Sequence, residues 1–311
     1  MLYDRARYEY RGKFAETRFK RDCLAEYAEV FKTVCVDAAY YSFPSQQYLE
    51  SMVNQTPDDF MFGLKVTDTI TIRKFPKLGR FGQQAGKANE NFLNADLFAK
   101  AFLKPCESVR HAIGLLMFEF SRFWPTDYEH GRDFIADLDK FLGQLPKGWP
   151  YGVEMRNRNW LKPEYFECLA RHQVAHVFNS WDAMPAVGEQ MALPGSRTNP
   201  NLVAARFLLK PGRKYEQAVK AFEPYDSIKE ENPEARYADG FRPVHQRGNE
   251  PVGGDEAVGP APGSGGTVAG DREPVRRCRP ELCRCHPLWQ RDEPGRIPHH
   301  SSRGDRVRRD W

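Results

Sequence analysis

The segment Tyr151-Gly-Val-Glu-Met-Arg-Asn-Arg-Asn-Trp160 decides the fold of this chain, because it predicts a buried strand that ends in charge. Glu154 and Arg156 are two residues apart, so their side chains lie on the same side of an extended strand. Strands of a parallel sheet that helices cover on both faces are apolar throughout, and buried charges are costly unless paired or used. The pair therefore predicts a polar pocket. The alternative is a buried ion pair that only holds a loop in place.

Strand-like and helix-like patterns alternate along the first 240 residues. The predicted strands are 33–36, 60–65, 113–120, the segment that begins at Tyr151, 174–179 and 202–208. The predicted helices are 19–31, 45–53 with Ser45 as its N-cap, 95–103, 132–145, 163–172 and 215–222. Strands separated by amphipathic helices predict parallel βαβ units.

Polar and charged residues collect where the predicted strands end. They are Asp37, Lys65, Glu119, Glu154, Arg156, Asn179 and Arg206. A doubly wound sheet gathers such residues at one switch point, whereas a barrel gathers them from every strand. The pattern therefore favours an α/β fold of the TIM-barrel-like (β/α) type.

Four motifs occur in a recognisable order: VDAAYYSFP at 36–44, FMFGLK at 60–65, LMFEF at 116–120 and VEMRNRNW at 153–160. With them, residues 3–240 resemble the YecE-like family, also called Domain of Unknown Function 72, whose members are TIM-barrel-like. The resemblance implies a fold and the position of a pocket rather than a reaction.

Two departures from the family pattern predict an incomplete barrel. The chain begins after the family's first strand, at the segment Tyr10-Arg-Gly12, and nothing after Gly240 supplies its last strand. Those strands are neighbours across the closing seam, so the strands at Thr33 and Leu202 become open edges. Since open edges recruit other chains, we expect a protein that is aggregation-prone or only partly folded.

The composition changes near residue 240. Residues 241–311 contain 13 Arg and no Lys, with 10 Gly and 9 Pro, so they hold too little apolar mass to pack. We therefore predict a barrel domain at 1–240 and a low-complexity tail at 241–311. The tail is either a disordered basic segment or the product of translation in the wrong frame. Its Cys278, Cys283, Cys285 and His286 do not have the usual zinc spacing, and no metal site is predicted.

Glu119 and Glu154 are the candidate catalytic residues. They lie on neighbouring predicted strands, where mutual repulsion would raise one carboxyl pKa into the range of a general acid. The alternative is a Glu154–Arg156 salt bridge with Glu119 solvated. His176 could ligate a metal with both carboxylates, although a lone strand histidine is more often part of the core. The candidate substrate-binding residues are Asp37, Tyr41, Lys65, Arg156, Trp160, Asn179 and Arg206.

The long loop at 66–94 combines Arg73, Lys74, Lys77 and Arg80 with several glycines. A basic lid of this kind suits a phosphate or a nucleic-acid backbone, and a solvated charge run is the alternative. The main hypothesis is a small polar or anionic ligand in the barrel mouth, with carboxylate acid/base chemistry. A nucleic-acid-binding module and a non-functional gene fragment are the alternatives.

Other functional classes find little support. The sequence identifies no cofactor and does not decide whether the protein is an enzyme. No apolar run approaches the roughly 20 residues of a membrane span, and the N-terminus lacks the apolar core of a signal peptide. A cytoplasmic protein without membrane contact is therefore expected.

Overall fold

The computed structural model describes residues 5–181, 183–208, 213, 215–223 and 229–230. The tail predicted at 241–311 lies outside these residues. The strands are β1 (Glu9–Tyr10), β2 (Lys13–Phe14), β3 (Thr33–Val36), β4 (Met61–Lys65), β5 (Ile113–Phe120), β6 (Tyr151–Met155), β7 (Ala175–Asn179) and β8 (Ala204–Arg206). The helices are α1 (Glu16–Ala28), α2 (Ala38–Tyr41), α3 (Gln46–Val53), α4 (Asp68–Thr71), α5 (Ala95–Leu97), α6 (Lys104–Cys106), α7 (Gly131–Gln144), α8 (Pro163–Arg171), α9 (Val187–Ala192) and α10 (Tyr215–Phe222).

Most predicted elements are confirmed with small changes at their ends. Ser45 caps α3 as expected, because its side chain accepts a hydrogen bond from the Tyr48 N–H. The predicted helix at 95–103 divides into α5 and a π-helical segment, Phe98–Leu103. The strand predicted at 202–208 shortens to β8, because only its three residues pair with β7.

Strands β3 to β8 form one parallel sheet in which each strand pairs with the next along the chain. The sheet curls strongly, since Arg206 on β8 donates a hydrogen bond of 2.8 Å to Glu119 on β5. Three strand spacings would separate these strands by about 14 Å in a flat sheet. The six strands thus form a half-barrel, which confirms the TIM-barrel-like fold class.

The two faces of the sheet pack differently. On the convex face, the Phe118 ring contacts Phe98 and Phe141 from the helical layer. On the concave face, Gly152 permits close packing, because a Cβ there would lie 2.7 Å from Leu115 Cδ1 and 2.9 Å from Val177 Cγ2. Side chains alternate between these faces along each strand, so Glu119 points to the concave side.

The loop after β4 is ordered. Helix α4 begins it, and residues 73–89, called the flap here, form a hairpin-like segment with an antiparallel bridge between Lys74 and Ala88. The Asn89 amide donates hydrogen bonds to the carbonyl oxygens of Thr69 and Ile72. These bonds fix the base of the flap to α4, beside the carboxyl end of β4.

Candidate functional site

Five charged side chains meet on the concave face where the parallel strands end. Lys65 closes β4, Glu119 lies near the end of β5, Glu154 belongs to β6, Arg156 follows β6 and Arg206 closes β8. Glu119 and Glu154 are direct partners in the register of β5 and β6, so both carboxylates lie at the same height. We refer to these five residues as the ion cluster.

Glu119 is the centre of the ion cluster. Its Oε2 lies 2.6 Å from Lys65 Nζ, 2.9 Å from Arg156 Nη2 and 2.8 Å from Arg206 Nη1. The Glu119 side chain is only 3% exposed, so these contacts replace the water that the carboxylate would otherwise bind. Three cations from three different strand ends therefore converge on a single oxygen.

Glu154 is held by two of the same cations. Arg156 Nε donates to its Oε1 at 3.0 Å, and Arg206 Nη1 donates to its Oε2 at 2.5 Å. Each arginine thus bridges the two carboxylates. The ion-pair alternative that the sequence left open describes Glu154 and Arg156 correctly, but Glu119 is buried rather than solvated.

The lowered pKa of Glu119 argues against a role as general acid. Burial raises the pKa of its carboxyl, but Arg156, Lys65 and Arg206 together outweigh burial and lower this pKa to about 2. The expectation that repulsion from Glu154 raises a pKa is therefore wrong for Glu119. The sequence placed both carboxylates near strand ends, but it did not indicate how many cations the curled sheet brings to them.

Aromatic side chains flank the ion cluster on two sides. Lys65 Nζ lies 4.0 Å from the ring centroid of the buried Tyr40, and Arg156 Cζ lies 4.1 Å from that of Trp181. Asp37 Oδ1 is 4.0 Å from Lys65 Nζ, so Asp37 lies at the edge of the cluster. Tyr41, which the sequence favoured, is 47% exposed and lies against Arg80 instead.

A second ion pair borders the cluster, and the sequence prediction missed it. Arg80 on the flap lies 3.1 Å from the buried carboxylate of Asp68 at the start of α4. Burial raises the pKa of Asp68, although Arg80 opposes this effect. The position of Asp68, three residues after Lys65 at a strand end, was the available signal.

Two of the candidate binding residues make structural contacts within the protein. The Asn179 amide donates to the Met155 carbonyl oxygen, and its Oδ1 accepts a hydrogen bond from the Trp181 N–H. Trp160 stacks on Phe123 and Phe134 in the aromatic layer outside the sheet. The structure thus brings Asp37, Lys65, Arg156 and Arg206 together with both carboxylates. Asn179 instead positions Trp181, and Trp160 packs outside the sheet.

The hypothesis that His176 ligates a metal with Glu119 and Glu154 is wrong. His176 lies on the convex face of β7, where its ring contacts Phe166 and its Nδ1 lies 3.3 Å from the Tyr165 hydroxyl. Desolvation by burial lowers the pKa of His176 to about 4. Within the part of the chain that the structure describes, no group of three or more His, Cys, Asp or Glu side chains could hold a metal ion.

The basic character expected of the loop at 66–94 is partly neutralised. Arg73 forms an ion pair of 3.7 Å with Asp137 on α7 and lies over the Tyr128 ring. Arg80 is paired with Asp68, as described above. Both arginines of the flap therefore have acidic partners within this chain.

The chain is similar to proteins of one family. The family model described as "Protein of unknown function DUF72" matches residues 6–240. A crystal structure of a DUF72 family protein from Enterococcus faecalis is 22% identical, with a TM-score of 0.46, covering 62% of this chain and 72% of that one. One from Thermotoga maritima is 20% identical, with a TM-score of 0.41, covering 63% and 70%. No curated protein matches the chain.

Among the helices that the structure describes, none has the length and apolar character needed to cross a bilayer.

Proposed function

The chain belongs to the DUF72 family, and from the geometry of its strand ends we propose that it binds a small anionic ligand at the mouth of the half-barrel. The observation that carries this proposal is the convergence of Lys65, Arg156 and Arg206 on one buried carboxylate. The mouth is the usual ligand position in barrels, because the loops that follow the strands surround it.

The charge balance of the ion cluster favours an anion. Three cations face two carboxylates at distances of 3.0 Å or less. Asp37 supplies a third carboxylate, but it is 4.0 Å from Lys65 and its side chain is 23% exposed, so solvent screens it more strongly. In a site of low dielectric, this excess of buried positive charge is stabilised by a bound carboxylate or phosphate.

Glu119 and Glu154 act in this proposal as positioning residues. Each arginine contacts both carboxylates, so its guanidinium plane is fixed before a ligand arrives. Fixed donors bind an anion more tightly, because less side-chain freedom is lost on binding. Acid/base chemistry at Glu119 is then limited to the ionised form, since its pKa is about 2.

Calorimetric titration with inorganic phosphate tests the proposal. We expect saturable binding at one site and a loss of at least about tenfold in affinity in Arg206→Gln, because a charged hydrogen bond to the anion disappears. Arg122→Gln is the control, since it removes the same charge outside the ion cluster, where Arg122 lies against the Trp124 ring. Circular dichroism checks that each variant is folded.

Equal phosphate affinity in wild type and Arg206→Gln would refute the proposal, as would a complete lack of binding by folded wild-type protein. A second measurement separates it from the nucleic-acid alternative. Binding of a single-stranded oligonucleotide through many phosphates weakens steeply with salt. We expect no oligonucleotide binding at 150 mM salt, because Asp137 and Asp68 already pair with the flap arginines.

A further inference from the structure

The tryptophan at the edge of the ion cluster indicates which anions fit. Trp181 follows β7, and its side chain is 38% exposed although it is large and apolar. Its indole ring lies 4.1 Å from Arg156 Cζ, and Arg156 Nη2 lies 2.9 Å from Glu119 Oε2. Trp181 is therefore joined to the proposed anion site through a single guanidinium group.

The backbone of Trp181 is fixed on both sides. Its N–H donates to the Asn179 side chain at 3.2 Å, and its carbonyl oxygen accepts a hydrogen bond from the Met184 N–H at 2.8 Å. The buried Asn179 is in turn hydrogen-bonded to the Met155 carbonyl oxygen on the neighbouring strand. An exposed ring with an anchored backbone is pre-organised for stacking, and little freedom is lost when a partner stacks on it.

Resting on the function proposed above, we infer that the ligand is an anion carried on a ring, with the ring stacked on Trp181 and the anionic group on the ion cluster. An anion that contacts Arg156 lies next to the indole, so a ring attached to that anion comes within stacking distance of Trp181. A sugar phosphate or an aryl phosphate or carboxylate has this chemistry. A pyranose presents C–H groups to the indole face, and an aryl group presents a π-face.

The chain contains a matched control for this inference. Trp124 is also exposed, at 55%, and it also has an arginine against its ring, with Arg122 Cζ at 4.4 Å. It follows β5 in the chain, but Arg122 is not part of the ion cluster. Stacking on an exposed tryptophan in general would involve both residues, whereas the inferred site involves Trp181 alone.

The experiment measures the gain in affinity that a ring confers. Phenyl phosphate and glucose 6-phosphate are titrated beside inorganic phosphate and glycerol 3-phosphate, with tryptophan fluorescence as a second signal. We expect at least one ring-bearing phosphate to bind about tenfold more tightly than both ringless ones. Preference for phenyl phosphate identifies an aryl ligand, and preference for glucose 6-phosphate identifies a sugar.

Variants then show which residue provides the ring advantage, that is, the tighter binding of ringed than of ringless phosphates. Trp181→Ala should remove the ring advantage, so that its affinities for ringed and ringless phosphates lie within about twofold of each other. Trp181→Phe should keep most of the ring advantage. Trp124→Ala should leave the ring advantage unchanged. An equal affinity for ringed and ringless phosphates, or a ring advantage that survives in Trp181→Ala, would overturn the inference.

These outcomes separate the inference from the function on which it rests. Phosphate binding that disappears in Arg206→Gln, without any ring advantage in wild type, supports the proposed function and rejects the role of Trp181. A failure of every phosphate to bind folded wild-type protein rejects both.

Discussion

The two faces of the curved sheet bury ionisable side chains in opposite ways. On the concave face, Glu119 and Glu154 are buried together with three cations that contact their oxygens. On the convex face, His176 is buried beneath α8 among aromatic rings. The Glu119 carboxylate stays charged because its partners more than offset desolvation, whereas His176 stays neutral because desolvation by burial dominates.

This difference between the faces makes the concave face, and not the convex one, the candidate site. A group of paired charges retains donors that an incoming anion can share, and it lies at the strand ends where loops give access. A neutral histidine enclosed by Tyr165 and Phe166 contributes to packing instead. The same strand alternation that creates the site therefore also creates the aromatic layer behind it.

Glu119→Gln has the largest expected effect on the concave face. The substitution keeps the shape of the side chain but leaves three cations near a neutral amide, with Glu154 as the remaining carboxylate of the cluster. We expect the free energy of unfolding to fall by about 3–5 kcal/mol, because one partner of a buried ionic group has been removed. Urea denaturation at pH 7 measures the change.

The control for this variant is an exposed pair of similar length. Lys32 Nζ lies 2.8 Å from Asp59 Oδ2, but the two side chains are 64% and 55% exposed. Lys32→Met should cost less than about 1 kcal/mol, since water screens the pair. Similar losses in the two variants would show that the ion cluster is not a buried unit.

The pH dependence of stability tests the neutral histidine. The pKa of His176 falls from 6.5 to about 4 on folding, so the unfolded chain binds a proton first as the pH drops. Stability is therefore lost as the pH falls from about 6.5 towards 4. Between pH 7 and pH 5, we expect His176 to account for a loss of about 2 kcal/mol, which His176→Gln should abolish.

Glu119 does not contribute to that interval. Because its pKa is depressed to about 2, its stabilisation is complete above its ordinary pKa of 4.5 and is lost between about 4.5 and 2. Urea denaturation of wild type and His176→Gln at pH 7.0 and 5.0 thus isolates the convex face. The same loss in both proteins would contradict the assignment of this slope to His176.

Gly131→Ala tests the packing of the aromatic layer on the convex side. A Cβ at Gly131 would lie 2.7 Å from Trp160 Cδ1, and the Trp160 ring stacks on Phe123 and Phe134. We expect a loss of about 1–3 kcal/mol from overpacking, independent of pH. Thermal unfolding followed by circular dichroism measures the loss.

Gly188→Ala provides the reference for this variant. Gly188 lies in α9, and a Cβ there would meet no atom within 4 Å. The substitution should be neutral or stabilising by up to about 1 kcal/mol, because alanine favours the helix. Equal effects of the two substitutions would mean that the rings around Trp160 move to accommodate the added Cβ without loss of stability.

Much of the fold was predictable from local patterns. The strand over residues 113–120 is β5, with the predicted limits, because its apolar run has helices before and after it. Ser45 was predicted as an N-cap for the same kind of reason, since its hydroxyl and the helix it begins are neighbours in sequence. The expected aggregation of an incomplete barrel stays a prediction.

The candidate site was predictable only in part. The strand ends identified Lys65, Glu119, Glu154, Arg156 and Arg206, because parallel strands bring their carboxyl ends to one rim. Trp160 and Trp181 both follow strand ends in the sequence, yet the first packs outside the sheet and the second contacts Arg156. Their difference depends on loop conformation, which local patterns do not specify.

The elements, their order and the residue types at the rim follow from spacing along the chain, so the sequence is enough to predict them. How the charges are shared among these residues depends on the tertiary fold. Arg206 reaches Glu119 because the sheet curls across the three strand spacings between them, and this contact helps to lower the pKa of Glu119 instead of raising it. The curl thus brings together residues 87 positions apart in the chain, and no local pattern contains that information.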